Sequence, residues 1–143
     1  MRRSVDSTED AGFTLFELLV VLAILGLLAG IVGPQVMRYL GTSRTQTAKV
    51  QIKNIASALE LYRLDVGHFP TVQEGLPALV AAPNAAVQGW NGPYLPQIAA
   101  LNDPWGHSYR YASPGKHGEV DVWSYGSDDL EGGTGEAADV GSW

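Results

Sequence analysis

The chain has 143 residues, 45% of them apolar and 17% charged, with 9 Lys and Arg against 15 Asp and Glu for a net charge of −6. That length supports one domain of ordinary size, the composition excludes a disordered chain, and the acidic balance offers no basic surface for nucleic acid. There is no cysteine, which excludes disulfides, thiolate metal sites and a cysteine nucleophile.

Residues 1–12 are short and polar, with Arg2 and Arg3 near the start. Residues 18–37 follow as LLVVLAILGLLAGIVGPQVM, twenty residues without a charge. This is the length a helix needs to cross a hydrocarbon core of ~30 Å. The two arginines hold the N-terminal end in the cytoplasm and place the C-terminal part outside. The run is longer than the apolar region of a secretory signal and lacks a clear A-x-A cleavage site. A plain anchor accounts for the hydropathy but not for Glu17, a carboxylate at the mouth of an apolar span that marks a functional position.

Beyond Met37 the pattern becomes one-sided. Ala48, Ile52, Ile55, Leu59, Tyr62 and Val66 recur at helical spacing, with Lys49, Gln51, Lys53, Asn54, Ser57, Glu60 and Arg63 between them. An unbroken helix from residue 13 to about residue 65 would run ~80 Å. Pro34 and the Gly41-Thr42-Ser43 step predict bends or melted turns within it. Gly67 predicts its C-terminal cap.

A turn at residues 67–71 precedes a short helix expected over residues 72–82, weakened by Gly75 and Pro77, and residues 83–104 read as loop. Residues 107–112 and 119–125 read as two strands joined by a turn at 114–118. The predicted fold class is α+β: a long N-terminal helix, membrane-spanning in its first half, packed on a small antiparallel sheet. The domain plan is a leader over 1–12, an apolar helix over 13–37, and an external domain over 38–143. Within that domain the helix continues over 38–66, loops and sheet occupy 67–125, and an acidic loop fills 126–143.

That last segment holds Asp128, Asp129, Glu131, Glu136 and Asp139 and no Lys or Arg. A solvated tail is the ordinary reading of such a segment. Glycines at 126, 132, 133, 135 and 141 allow sharp turns, however, and Val140 and Trp143 are apolar anchors. A turn-rich loop of hard oxygen donors suits Ca²⁺, although the ligand spacing of an EF-hand is absent.

Gly12-Phe13-Thr14-Leu15-Phe16-Glu17-Leu18 ahead of the apolar run resembles the leader junction of type IV pilins and pseudopilins. The resemblance implies that a prepilin peptidase cuts between Gly12 and Phe13 and methylates the new N-terminal Phe13. It gives Glu17 an assembly role, pairing with the Phe13 amine of its own or a neighbouring subunit and selecting the axial register.

Further stretches resemble the major pseudopilin family of type II secretion systems: Gly67-His68-Phe69-Pro70-Thr71, Asp103-Pro104-Trp105-Gly106, Ser124-Tyr125-Gly126-Ser127-Asp128 and Ala138-Asp139-Val140-Gly141-Ser142-Trp143. That resemblance implies a homopolymeric periplasmic pseudopilus that drives export of folded proteins. Its implied partners are the prepilin peptidase, minor pseudopilins and an inner-membrane assembly platform. The implied location is the bacterial inner membrane, single-pass, with the C-terminal domain in the periplasm. It also implies Ca²⁺ held by Asp128 and Asp139 with the carbonyls of Tyr125 and Leu130. The sequence departs from the family pattern at Asp129, where Gly is common, and at Thr134, where an acidic residue is common.

The competing classes are a minor pseudopilin or type IV pilin, which often carries a C-terminal disulfide loop, and a membrane-anchored periplasmic enzyme. Ser124, His117 and Asp121 are the nearest approach to a triad, but no G-x-S-x-G, H-E-x-x-H, P-loop or dinucleotide motif occurs. The chain is read as no enzyme.

Overall fold

The computed structural model describes residues 12–84 and 87–143, so leader residues 1–11 lie outside the described part. Helix α1 spans Leu15–Val66, 52 residues. Contacts divide the chain after Arg38, and Tyr39–Trp143 forms a compact unit of its own.

The N-terminus of α1 is built by a reciprocal cap. The Thr14 hydroxyl accepts the Glu17 N–H at 3.1 Å, and a Glu17 carboxylate oxygen accepts the Thr14 N–H at 3.1 Å. This T-x-x-E box satisfies two of the donors that every helix start leaves unpaired. Up to Arg38 the helix carries a stretch long and apolar enough to cross a membrane, none of it buried against the rest of the chain.

The expected breaks do not occur. Pro34 lies inside the continuous helix, and residues 41–43 remain helical. Thr45 and Thr47 donate their hydroxyls back to the Gly41 and Ser43 carbonyls at 3.2 and 2.9 Å, holding the turn closed. Gly41 is buried, and a Cβ there would run into the Glu136 side chain. Its small size serves a close approach by the C-terminal segment rather than a hinge.

Within Tyr39–Trp143 the helix buries Ala48, Ile52, Ile55, Leu59 and Tyr62, the predicted stripe, with Val66 half-buried at its end. Each large side chain so buried contributes roughly 1.5–3 kcal/mol. Opposite them lie Leu76, Leu79, Leu101, Tyr109, Val122 and Val140. Tyr109 donates its hydroxyl to the Gln51 side-chain oxygen at 2.7 Å, and burial, helped by the Asp103 charge, pushes its pKa well above the usual tyrosine value. Gly67, at φ 92°, ends the helix as predicted, its N–H donating to the Arg63 carbonyl at 2.8 Å.

The expected helix over 72–82 contracts to a single 3-10 turn, Leu76–Leu79. A second capping box leads into it, with Thr71 and Glu74 exchanging bonds of 2.8 and 3.3 Å, but Pro77 and Gly75 prevent propagation. The two predicted strands are present and shorter: β1 is Arg110–Ala112 and β2 is Asp121–Ser124, paired antiparallel with Tyr111 opposite Val122. A third strand, β3 at Val140–Gly141, completes the order β1-β2-β3 by pairing Ser124 with Val140. It was not predicted, because two residues carry no periodicity.

Candidate functional site: the C-terminal acidic loop

The acidic segment is folded. Tyr125 leads into a 3-10 turn, Gly126–Asp128, and Thr134 leads into a second, Gly135–Ala137. Gly126 has φ 73°, and a Cβ on it would stand 2.5 Å from the Glu136 carbonyl and 3.0 Å from that of Ala138. The strand end and the returning tail therefore meet backbone to backbone, and only glycine fits there.

Both candidate metal-ligating carboxylates hold the loop's own backbone. Asp128 Oδ1 accepts the Leu130 N–H at 3.2 Å, and Asp139 accepts the Gly132 N–H through both oxygens at 3.1 and 3.0 Å. Asp129 adopts the left-handed conformation, φ 54° and ψ 30°, which Asp tolerates better than most residues. Its carboxylate takes Arg110 at 3.0 Å. The departure from Gly at this position thus leaves the turn intact and adds an ion pair. Arg110 also lies over the Tyr125 ring, 4.7 Å from its centre.

The loop's donors fit a calcium ion in chemistry. They are hard oxygens, and the tail's carbonyls are crowded inward beside Gly126. Among the described residues no three His, Asp or Glu side chains converge as a metal cluster. A cation here would be held by two carboxylates with the remaining donors supplied by backbone oxygens, and Asp128 Oδ1 and both Asp139 oxygens already accept amides.

Two buried acids, Asp103 and Asp121, anchor this loop, a role their sequence positions did not announce. Asp103 accepts the Trp105 and His107 N–H groups at 3.0 and 2.9 Å through one oxygen and the Ser124 hydroxyl at 2.5 Å through the other. Ser124 in turn accepts the Gly126 N–H at 3.0 Å. The Asp103-x-Trp105-x-His107 spacing is an Asx-type turn that could have been found. Asp121 Oδ2 accepts the Lys116 and His117 N–H groups at 2.7 and 3.0 Å and lies 3.1 Å from His117 Nδ1. The His117 ring stacks on Trp143, centres 3.9 Å apart. Ser124 donates its hydroxyl to Asp103 and not to His117, so the three residues are not arranged as a triad.

Burial works to raise the Asp121 pKa, but the amides of His117 and Lys116 and the His117 ring together outweigh it and hold it below the usual carboxylate value. A depressed folded-state pKa contributes stability that is present above the unfolded value near ~4 and lost as pH falls through the folded one. Asp121→Asn should therefore cost about 1.5–3 kcal/mol at neutral pH. Urea melts of the Tyr39–Trp143 unit from pH 6 to pH 3 should show a shallower acid loss for the variant than for the parent.

The residues expected to serve processing and assembly lie at the start of α1. Gly12 and Phe13 precede α1, Phe13 is 81% exposed, and Glu17 faces solvent from the first turn apart from its bonds to Thr14. A short polar N-terminal segment, an apolar helix with an acid in its first turn and a small α+β body define a pilin-like filament subunit. A prokaryotic N-terminal methylation motif matches residues 9–33, and the family described as type II secretion system (T2SS), protein G, matches residues 35–143. The type II secretion system core protein G of Pseudomonas aeruginosa is 44% identical over 138 residues, covering 94% of this chain and 96% of that one. Its counterpart in Vibrio cholerae is 40% identical over 137 residues, covering 94% and 92%. The crystal structure of the major pseudopilin from the type 2 secretion system of enterohaemorrhagic Escherichia coli superposes with a TM-score of 0.60 at 29% identity, over 75% of this chain and 92% of that one. The chain belongs to the type II secretion system protein G family, the major pseudopilins.

Proposed function

We propose that this chain is made as a precursor, cut after Gly12 by a prepilin peptidase, and methylated on Phe13. The mature subunit is held in the bacterial inner membrane by the first part of α1, with residues 39–143 in the periplasm. Copies then leave the bilayer and polymerise through their helices into a periplasmic filament. Minor pseudopilins and an inner-membrane platform are the partners that start and drive its growth. The filament pushes folded proteins toward an outer-membrane channel. The role is mechanical and not enzymatic. The energy comes from a partner, since the sequence holds no nucleotide-binding motif.

The observation that carries this reading is the union in one chain of the methylation segment at 9–33 with the protein G body at 35–143. Calcium belongs to the same reading. Asp128 and Asp139 would hold it with the Tyr125 and Leu130 carbonyls, supplying the positive charge that a loop of five carboxylates lacks. Deleting the chain from cells that otherwise make the whole apparatus should leave the exported proteins folded in the periplasm, and the precursor gene should restore their release. Normal release without the chain would contradict the reading.

A further inference from the structure

The sequence of α1 carries a charge anomaly. Between Glu17 and Glu60 there is no acidic residue, while Arg38, Arg44, Lys49 and Lys53 all fall there. Arg44 reaches Glu136 at 3.8 Å, but neither Lys49 nor Lys53 has a carboxylate partner among the described residues. They stand four residues apart on one helix face, a like-charge spacing that costs an isolated helix a few tenths of a kcal/mol rather than stabilising it.

These two lysines line a groove of about 520 Å³ in the Tyr39–Trp143 unit. Val50, 57% exposed, lines it on the helix side with Gln46 and buried Ile52, and residues 139–143 line it on the other. That second side is fixed: β3 is paired to β2, and Trp143 is stacked on His117.

The same chain carries a complementary shape elsewhere. The turn at 128–131 is set by the Asp128 bond to the Leu130 N–H and by left-handed Asp129 tied to Arg110. It holds Leu130 outward, 66% exposed, beside Glu131, which has no ion-pair partner among the described residues. Leu130 is not among the residues that line the groove.

We infer that the groove between Lys49, Val50, Lys53 and the C-terminal strand receives the Leu130–Glu131 turn of a second copy. Leu130 covers Val50, and the Glu131 carboxylate settles between the two ammonium groups. Knob and groove are different surfaces of one chain, so the contact is head-to-tail, the type of contact from which an open helical filament is built. It joins opposite charges on subunits whose excess of acidic over basic side chains otherwise repels. The inference rests on the filament reading above and adds to it which surfaces meet.

The absence of cysteine makes the test clean. Two differently tagged full-length chains, one Val50→Cys and one Leu130→Cys, are co-produced with the whole apparatus and treated with a short bis-maleimide. A tagged heterodimer should form at least about tenfold above a Val50→Cys and Val72→Cys control pair. Lys53→Glu should lower both the crosslink and the filament yield by roughly five- to tenfold, and adding Glu131→Lys in the same chain should restore both to within about twofold. Filaments that form without the crosslink overturn the groove contact and leave the subunit reading intact. A Lys53→Glu defect that Glu131→Lys does not repair, accompanied by weaker membrane retention, also overturns it and assigns the lysines to anionic lipid. Failure of the parent chain to polymerise at all overturns both readings.

Discussion

Withdrawing calcium from the Tyr39–Trp143 unit should lower its melting midpoint by about 10–20 °C. An ion present at about a hundred times its Kd adds roughly 2.7 kcal/mol to the folded state. A unit of this size shifts by about 4–8 °C for each kcal/mol. The effect should be concentrated in the loop, because Asp128 and Asp139 each pin a backbone amide there and would share the ion's charge. Asp139→Ala loses the ion and the Gly132 clamp together, so its melt should fall below that of the chelated parent. Asp128→Ala loses the ion and only the longer single bond to the Leu130 N–H, so it should fall below the chelated parent by less than Asp139→Ala does. Melting curves recorded with calcium and with excess EGTA check all three. A parent midpoint that EGTA leaves unchanged would leave the loop held by its own hydrogen bonds alone and remove calcium from the account.

The second large effect falls on Glu17. Its carboxylate caps α1 by taking the Thr14 N–H and hydroxyl. In the mature subunit it would also face the Phe13 amine in surroundings poor in water, where an unpaired charge costs several kcal/mol. Two substitutions separate those roles. Gln in a capping box retains the bond to the Thr14 N–H but carries no charge, whereas Ala loses both. Glu17→Ala and Glu17→Gln should both be cut and inserted normally and both yield filaments reduced more than about tenfold, the size of effect expected when one member of a desolvated pair is removed. Filament yield counted by electron microscopy, beside immunoblots of the cut and uncut forms, distinguishes the outcomes. Rescue by Gln would reduce Glu17 to a helix cap.

Much of this architecture was legible because it rests on long periodic signals. The stripe from Ala48 to Tyr62 extends over several turns, and every member of it is buried. The charge-free run and the motif matched over residues 9–33 were equally plain. What escaped was local and short. Strand β3 has two residues, and nothing in Val140 and Gly141 foretells that they will pair with β2. Pro34 and Gly41 predicted interruptions because each weakens a helix in isolation. In the folded chain threonine hydroxyls close the turns after Gly41, and Gly41 itself makes room for Glu136. The acidic segment could be read as an organised loop from its glycines and its terminal Trp, but its anchors could not. Asp103 and Asp121 reach it through β2, and sequence distance hides the Asp103–Ser124–Gly126 chain. Two T-x-x-E boxes, at Thr14 and Thr71, were present in the sequence; the first caps α1 and the second holds the turn that precedes Leu76.

The central claim is that this chain forms the body of the filament and not only its tip. It is tested most directly by labelling an epitope on the full-length chain in cells that make the whole apparatus and mapping the label along isolated filaments. The account predicts label at every repeat from end to end, in amounts that scale with filament length. Label confined to one end, at constant amount whatever the length, would contradict it and make the chain an initiating subunit instead.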